Sequence, residues 1–451
     1  MKKLLTLLLL LTFLAGFKSA NLDEKLRNIL NYNGVAEYTT ATADSAKVEL
    51  GRMLFFDKIL SGNKDIACAT CHHPGLNSGD NLSLAIGVGG EGLGESRKMG
   101  QGRDRIPRNS PEIFNRGSEK WHTMFWDSRV STEEDGSFQT PADEKFPTEG
   151  LDNILAAQAM FPVTSRDEMR GDIGDHDIFG ERNELALISP AAPQSIWFML
   201  MERLRAIPRY RELFEQAYPN QSIEELEFQH AANAIAAFEI EAFTFIDSPW
   251  DQYMGGNDRA LNESAKRGAV IFYEKADCGN CHSGSLFTDQ QHHNIAIPQF
   301  GPGKDNAAPL DAGRYAETGL KKDLFSFRTP PLRNVSITGP WMHNGAYTNL
   351  EDAIKHHLDP ETALANYDVS QLPSELQDSY KDGPSVNQRL ISNLDPTLKE
   401  SKNLTDPEFK DLMSFIYALT DSSAIDLSHW VPNEVPSGLP VEDIRPVSSS
   451  Y

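Results

Sequence analysis

The sequence predicts a mainly α-helical protein that consists of two related domains with long loops. Apolar residues recur at helical spacing through much of the chain, and no alternation of strands with helices indicates a parallel sheet. A pattern of glycine, aliphatic, aromatic and acidic residues occurs at 51–57 and again at 268–274, and each copy ends a helical stretch. Self-similarity is typical of an internal duplication, so the 451 residues are expected to form two domains of one type.

Residues 1–20 have the order of a secretory signal peptide. Two lysines precede an apolar run at 4–17, and the small residues Ser19 and Ala20 close the segment. The run is too short to cross a bilayer, which takes about 20 apolar residues. The sequence therefore predicts cleavage near Ala20, export to the periplasm and no stable membrane anchor.

The charge balance excludes one class of partner. The chain has 42 basic and 65 acidic residues and a formal net charge of -23. Binding to DNA or RNA relies on lysine and arginine to neutralise phosphates, so nucleic acid is not an expected partner. A basic partner protein is compatible with this charge.

All four cysteines of the chain fall into two copies of the motif C-x-x-C-H. In this motif two thiols attach a c-type haem covalently and the histidine binds its iron. One copy alone could be a zinc half-site or a redox dithiol. Two copies that use every cysteine, in a chain predicted to be exported, indicate two covalent haems. The predicted haem-binding residues are Cys68, Cys71 and His72 in the first motif and Cys278, Cys281 and His282 in the second.

The domain boundaries follow from the helical pattern around these motifs. Each motif comes after a predicted helix, which is how a c-type cytochrome domain covers one face of its haem. A long helical run begins after Ser222, a residue suited to cap a helix. We therefore predict an N-terminal haem domain at 21–225, a C-terminal haem domain at 226–425 and a C-terminal tail at 426–451.

Blocks that accompany the two motifs resemble those of the dihaem cytochrome c peroxidases and their MauG-type relatives. They stand in the expected order at 108–111, 125–129, 161–169, 328–335 and 338–345. The resemblance implies that hydrogen peroxide reacts at the N-terminal haem. It also implies that the C-terminal haem passes on electrons from a small c-type cytochrome or cupredoxin. Relatives often form dimers, which makes a homodimer a candidate assembly.

The resemblance assigns catalytic roles to four residues. A peroxidatic haem needs an acid/base group that moves a proton between the two peroxide oxygens. Glu168 matches this group, with Gln158 and Pro162 as companions in the distal pocket, on the side of the haem where peroxide binds. Trp126 matches a tryptophan between the haems, where an aromatic ring can relay electrons. From the residues alone, Glu168 reads as a surface charge and Trp126 as core packing.

The first departure from the family pattern concerns the N-terminal haem. In the peroxidases a histidine shortly after the motif often blocks the distal side of this haem, and Val88 stands at the matching position. We therefore hypothesise a five-coordinate N-terminal haem that reacts without prior reduction. A low-spin, bis-histidine spectrum would contradict this hypothesis and would make His73 or His122 the suspected ligand.

The second departure concerns the C-terminal haem. Relatives place a methionine or a tyrosine seventeen residues after the proline that matches Pro340, and His357 stands there. The resemblance therefore predicts His357 as the distal iron ligand, with His356 and Met342 as alternatives. A histidine in place of methionine is expected to lower the reduction potential.

The resemblance also predicts a calcium ion between the domains. In relatives it takes oxygen ligands from an asparagine side chain and two backbone carbonyls, which Asn109, Thr338 and Pro340 match. Oxygen ligands suit a hard cation such as Ca²⁺. His343 and Arg129 also match family positions, but the sequence suggests no role for them.

Three functions are compared on these observations. The leading hypothesis is a periplasmic dihaem peroxidase that reduces hydrogen peroxide to water. The alternative is a MauG-like enzyme that oxidises tryptophan or tyrosine residues of a partner protein, and Val88 slightly favours it. A non-catalytic electron carrier is disfavoured by the set Gln158, Pro162 and Glu168.

Overall fold

The computed structural model describes residues 22–442, so the predicted signal peptide lies outside the described residues. The prediction of a mainly α-helical fold is confirmed. The helices, α1 to α15 in chain order, are 22–32, Ser45–Phe56, Cys68–Cys71, Ile154–Ala159, Pro193–Arg205, Pro208–Ala217, Phe228–Ala242, Pro249–Met254, Glu263–Tyr273, Tyr315–Thr318, Leu350–Leu358, Pro360–Ala365, Ser374–Gln377, Pro384–Ser392 and Asp406–Tyr417.

Strands are short and serve to fix loops. A three-stranded antiparallel sheet has the order β1 to β3, and a second antiparallel pair joins β4 to β5. The five strands are Thr123–Met124, Val130–Thr132, Phe138–Gln139, His292–His293 and Phe327–Arg328.

Two helix crossings repeat the same construction. In α2, a Cβ atom at Gly51 would lie 1.8 Å from the carbonyl oxygen of Ala234 in α7. In α9, a Cβ atom at Gly268 would lie 1.9 Å from the carbonyl oxygen of Asp411 in α15. Because only glycine allows so close an approach, the glycine of the repeated sequence block marks the equivalent crossing in both halves.

The core divides into two main clusters that do not follow the predicted boundaries. Helix α7, predicted to open the C-terminal domain, packs in the first cluster with α2 and α4. The second cluster contains residues of α8, α9 and α15, including Trp250. The fifteen-residue helix α7 has a broad apolar surface, which is buried against the helix that precedes the first motif.

Each end of the chain packs in the cluster of the opposite half. Helix α1 packs into the second cluster through Leu26 and Leu30, and Lys25 forms an ion pair of 2.7 Å with Glu274. The C-terminal segment returns to the first cluster, where the Ser437 hydroxyl donates to Asp57 at 2.6 Å. Asp57 and Glu274 are the acids that end the two repeated blocks, so each anchors the opposite end of the chain. Among residues 22–442, no helix combines the length and apolar character needed to cross a bilayer.

Candidate haem sites

A large apolar cavity lies beside the second C-x-x-C-H motif, between helices α9, α11 and α15. Cys278, Cys281 and His282 line it from one side, and His357 of α11 lines it from another. The ring centroids of His282 and His357 are 6.3 Å apart. The rest of the lining is mostly apolar and includes Phe272, Leu350, Ile354, Leu412 and Ile416.

The hydrogen bonds of these two histidines leave the same nitrogen facing the cavity. Nδ1 of His282 lies 3.0 Å from the carbonyl oxygen of Phe287, and Nδ1 of His357 lies 2.8 Å from that of Ala353. A backbone carbonyl can only accept, so Nδ1 carries the proton in both rings and Nε2 has a free lone pair. Burial lowers the pKa of both imidazoles, which favours the neutral form that binds metals.

This arrangement fits a c-type haem held by two histidines. A metal–imidazole bond is about 2 Å long, so two rings on one iron would have centroids about 6 Å apart. The distance of 6.3 Å between the His282 and His357 centroids agrees with that geometry. Two thiols on one wall and an apolar lining supply the other features that covalent attachment and burial of a porphyrin require.

The two alternative ligands are placed differently. His356 is fully buried, and its nitrogens lie 2.8 Å from the Tyr347 hydroxyl and 2.6 Å from the Ile295 carbonyl oxygen. Both nitrogens are therefore engaged in the protein. Met342 lines the cavity with a left-handed backbone, at φ 80°. Of the two adjacent histidines, the geometry favours His357 as the ligand.

A third histidine on this cavity was missed by the sequence analysis. His293 lies on β4 with Nδ1 2.6 Å from Asp395 and Nε2 2.9 Å from Asp289. Burial alone would lower its pKa, but hydrogen bonds with Asp289, Cys281 and Asp395 outweigh burial and raise the pKa to about 11. His293 and Asp289 also form a potential metal-ligating group with Cys281, although both ring nitrogens are already bonded to carboxylates. The partners lie 4 and 102 residues away, so no local pattern predicted them.

The first motif forms the short helix α3, and its histidine has a matching backbone bond. Nδ1 of His72 lies 3.2 Å from the carbonyl oxygen of Ser78, and burial lowers the pKa of His72 to about 4. Burial raises the pKa of the Cys71 thiol, and the nearby carboxylates of Asp80 and Glu168 raise it further. The predicted acid/base residue is therefore close enough to this motif for its charge to be felt there.

The three residues of the predicted distal set lie on consecutive elements. Gln158 is in α4, Pro162 begins a 3-10 turn at Pro162–Thr164, and Glu168 lies in a π-helical turn at Arg166–Arg170. Proline is favoured at the first position of such a turn, because its missing N–H would have no partner there. The chain thus brings the three side chains to one end of α4.

The loop that carries Val88 is fixed against the Glu168 turn. The Val88 N–H donates to the carbonyl oxygens of Asp167 at 3.2 Å and Glu168 at 3.0 Å. A Cβ atom at Gly87 would lie 1.8 Å from the Asp167 carbonyl oxygen, so this approach requires glycine. Val88 itself is buried in the first cluster. The backbone of Val88 is therefore bonded to the turn that carries the acid/base candidate.

The suspected alternative ligands of the N-terminal haem are engaged elsewhere. His73 is fully buried, and its Nδ1 accepts from the Gly75 N–H at 3.0 Å. His122 is exposed, and its Nδ1 lies 3.3 Å from the Lys120 carbonyl oxygen.

Glu168 is half-buried in a mixed electrostatic environment. Burial raises its pKa, whereas the positive charge of Arg129 and a hydrogen bond with Ser165 lower it, so the net shift is upward. The Arg129 guanidinium stacks 3.6 Å above the Phe125 ring and pairs with Asp127 at 3.1 Å. Arg129, which had no role in the sequence analysis, is thus a fixed cation that favours the ionised form of Glu168.

Asp127 is the centre of a buried charge network that sequence reasoning also missed. Its carboxylate pairs with Arg108 at 2.5 Å as well as with Arg129. Arg108 in turn pairs with Asp311 at 2.6 Å. The cations hold the pKa of Asp127 well below its usual range despite full burial. Arg108 and Asp311 lie 203 positions apart, so no local pattern predicts that they meet.

Trp126 lies between the first core cluster and the C-terminal cavity. Its ring lines the C-terminal cavity and its indole N–H donates to the Asn109 carbonyl oxygen at 3.0 Å. The preceding residue, Phe125, packs against the first cluster. The dipeptide therefore connects the core of the first half with the cavity of the second.

The predicted calcium ligands come from segments that are in contact. The Asn109 N–H donates to the His343 carbonyl oxygen at 2.8 Å, which joins the Asn109 loop to the segment that follows Pro340. Thr338 and Pro340 are half-buried and flank Gly339. His343 is buried and stacks on Phe327 at 3.5 Å, so its observed role is packing. The ligand set itself stays a prediction.

Comparison with known proteins identifies similar sequences along most of the chain. The family described as di-haem cytochrome c peroxidase matches residues 45–259. The methylamine utilization protein MauG of Methylorubrum extorquens is 30% identical over 69% of this chain and 68% of its own length. The cytochrome c551 peroxidase of Pseudomonas aeruginosa is 29% identical over 68% of this chain and 70% of its own length.

Solved structures with the same fold agree with these sequence matches. A MauG-like protein associated with microbial copper homeostasis aligns with a TM-score of 0.59 and 26% identity, covering 87% of this chain and 94% of that one. The diheme peroxidase BthA of Burkholderia thailandensis aligns with a TM-score of 0.55 and 20% identity, covering 90% and 92%. At that identity, the second likeness concerns the fold alone.

Proposed function

Since this chain belongs to the di-haem cytochrome c peroxidase family, we propose that it reduces hydrogen peroxide to water in the periplasm. A small c-type cytochrome or cupredoxin supplies the electrons, one at a time. Each turnover consumes one hydrogen peroxide, two electrons and two protons, and it releases two waters. The observation that carries this proposal is the pair of backbone hydrogen bonds from the Val88 N–H to the Asp167 and Glu168 carbonyl oxygens. They hold the loop in which valine replaces the blocking histidine against the turn that carries the proposed proton-transfer group.

In this proposal the cysteines of each motif attach one haem, and the chain provides three iron ligands. His72 binds the N-terminal iron, and His282 and His357 bind the C-terminal one. Bound haem supplies the redox chemistry that cleaves the oxygen–oxygen bond and stores electrons. We further propose that Asn109, Thr338 and Pro340 hold Ca²⁺ between the domains.

Glu168 moves the proton. Its carboxylate would accept a proton from one peroxide oxygen and return it to the other, which would leave as water. Arg129 supports the first step because it favours the ionised carboxylate. Gln158 and Pro162 shape the space beside Glu168. Trp126, whose ring lines the cavity beside His357, would relay electrons between the two haem sites.

A MauG-like reaction is the second candidate. It uses the same two sites but takes its electrons from tryptophan or tyrosine residues of a partner protein. Val88 slightly favours this candidate, because its reaction needs a distal side that no histidine blocks. Relatives with each of the two names match to a similar degree.

Steady-state turnover distinguishes the two candidates. The mature haem-loaded protein is mixed with hydrogen peroxide and an excess of reduced c-type cytochrome, and the oxidation of the cytochrome is followed. A peroxidase oxidises two cytochromes for each peroxide over many turnovers. Slow decay of the oxidised enzyme without cytochrome oxidation would favour the MauG-like reaction. A visible spectrum that peroxide leaves unchanged would contradict both.

A further inference from the structure

The C-terminal segment reaches the N-terminal haem site, and we propose that Glu442 is a positioning residue there. It fixes two walls of this site: helix α3 with the adjacent His73, and the loop that carries Val88. The inference rests on the proposed function only in taking the first motif as the point of haem attachment. It concerns residues that the sequence analysis left in an unassigned tail.

The path of the segment anchors it to the first cluster before it reaches the motif. Val431 and Val435 are buried there, and the ring of Trp430 packs edge-on against Phe238 with centroids 5.6 Å apart. The hydroxyl of Ser437 then donates to the buried Asp57 at 2.6 Å. These contacts deliver Glu442 to one defined place beside helix α3.

On the side of His72, Glu442 contacts the motif directly. The hydroxyl of Thr70, a variable residue of the motif, donates to the Glu442 carboxylate at 2.5 Å and accepts from the Ala67 N–H at 3.0 Å. Nδ1 of His73 accepts from the Gly75 N–H, so its Nε2–H donates to the Glu442 carbonyl oxygen at 3.3 Å. Glu442 thus holds Thr70, which lies within the haem-binding motif, and His73, which directly follows it.

A short turn connects His73 with His72, the predicted iron ligand. The Ser78 N–H donates to the His73 carbonyl oxygen at 3.1 Å, and the Ser78 carbonyl oxygen lies 3.2 Å from Nδ1 of His72. The bond at Nδ1 sets the orientation and basicity of a metal-binding imidazole. By fixing His73, Glu442 therefore fixes the group that orients His72.

Glu442 also reaches the loop that carries Val88, through Arg97. Its carboxylate lies 3.2 Å from Lys58 Nζ and 3.8 Å from the Arg97 guanidinium. The Arg97 side chain is only 1% exposed and donates to the carbonyl oxygens of Ile86 and Gly87, both at 2.8 Å. Arg97 thus holds the residues immediately before Val88, and Glu442 is its carboxylate partner.

Loss of the carboxylate should therefore loosen both walls together. The Glu442 side chain is 16% exposed, so its partners are largely shielded from water that could replace it. Removing the carboxylate from such a shielded place is costly, because the charged and polar groups that it bonded are left without a partner.

The test compares Glu442→Ala and Glu442→Gln with Glu434→Gln, an exposed glutamate of the same segment. Hydrogen exchange followed by mass spectrometry is measured on the oxidised holoenzyme. Glu442→Ala should speed amide exchange about tenfold or more in peptides that cover 67–79 and 86–92. Glu442→Gln should have a smaller effect, because its amide oxygen still accepts from Thr70. The control should match the wild type.

A spectroscopic signature separates positioning from general stability. The electron paramagnetic resonance signal of the N-terminal haem should change in Glu442→Ala, and that of the C-terminal haem should not. Thr70→Val removes the hydroxyl that bonds to Glu442 and to the Ala67 N–H but leaves Arg97 paired, so it should affect 67–79 and leave 86–92 unchanged. This variant keeps the test open if Glu442→Ala does not fold.

Two results would overturn the proposal: faster exchange confined to the tail itself, or an N-terminal haem signal identical to that of the wild type. Neither measurement uses peroxide. A wild-type protein that lacks peroxidase turnover would contradict the proposed function alone, whereas an active wild type with an unaffected Glu442→Ala variant would contradict only the role of Glu442.

Discussion

The two C-x-x-C-H motifs are alike in sequence, but the residues that accompany them differ. At the second motif, the His282 ring faces a second imidazole at a centroid distance of 6.3 Å. At the first, the loop that the resemblance puts across from His72 carries Val88, and the Glu168 turn is bonded to it. A haem with two histidine ligands is saturated and suited to electron transfer, whereas one with an open position can bind a substrate. In the proposed function, the residue at the sixth position therefore separates the roles of the two sites.

The largest effect is expected when the proposed acid/base group of the N-terminal site is removed. Glu168→Gln should slow the reaction of the oxidised enzyme with hydrogen peroxide by about 100-fold or more, because the amide cannot accept and return a proton. Stopped-flow spectroscopy measures this rate. Asp167→Asn is the matched control, since Asp167 is exposed and adjacent. An equal loss in both variants would indicate a damaged turn rather than lost proton transfer.

The second prediction makes the N-terminal site resemble the C-terminal one. Val88→His offers a sixth ligand to the N-terminal haem. If the histidine leaves the site open in about one molecule in a hundred, the reaction with peroxide slows about 100-fold. Low-temperature electron paramagnetic resonance should then show a low-spin signal in place of a high-spin one. Val88→Leu keeps an apolar side chain and should stay high-spin; a wild type that is already low-spin would refute the five-coordinate hypothesis.

The third prediction concerns the ligand pair at the C-terminal site. His357→Met should raise the reduction potential of the C-terminal haem, because thioether ligation favours the reduced iron. A change on the order of 100 mV is expected within the roughly 0.8 V range that axial ligands cover. Spectroscopic redox titration measures it. Met342→Leu is the control for the alternative ligand, and a larger change in that variant would assign the iron bond to Met342.

The sequence contained enough to predict the helical class and to name candidate residues at each site. The reason is that attachment motifs and repeated blocks are local patterns, and structure adds only their placement. His357 could be named but not separated from His356 until the bonds of His356 to Tyr347 and Ile295 were seen. That choice depends on partners 9 and 61 residues away.

The domain organisation was harder to predict, for a physical reason. Helix α7 has an apolar surface that could cover either half, and its periodicity does not say which. Asp57 and Glu274 occupy equivalent positions, but their partners, Ser437 and Lys25, come from opposite ends of the chain. Contacts between such distant residues leave no trace in local sequence, and for this reason the tail and Glu442 had no assigned role.

The smallest expected effect is on the pH dependence of the peroxide reaction. It concerns Arg129, the fixed cation of the N-terminal site. Glu168 must be ionised to accept the first proton, so the peroxide reaction should become faster as pH rises through its pKa. Burial raises that pKa and Arg129 lowers it, so Arg129→Gln should move the inflection of the rate–pH profile to higher pH. Rates below the inflection should fall, and rates well above it should equal those of the wild type, because the carboxylate is then ionised in both proteins. Arg105→Gln, which removes a surface pair with Glu375, should leave the profile unchanged. An inflection that stays in place, or moves to lower pH, would show that Arg129 acts on Asp127 and Phe125 alone and not on the proton-transfer group.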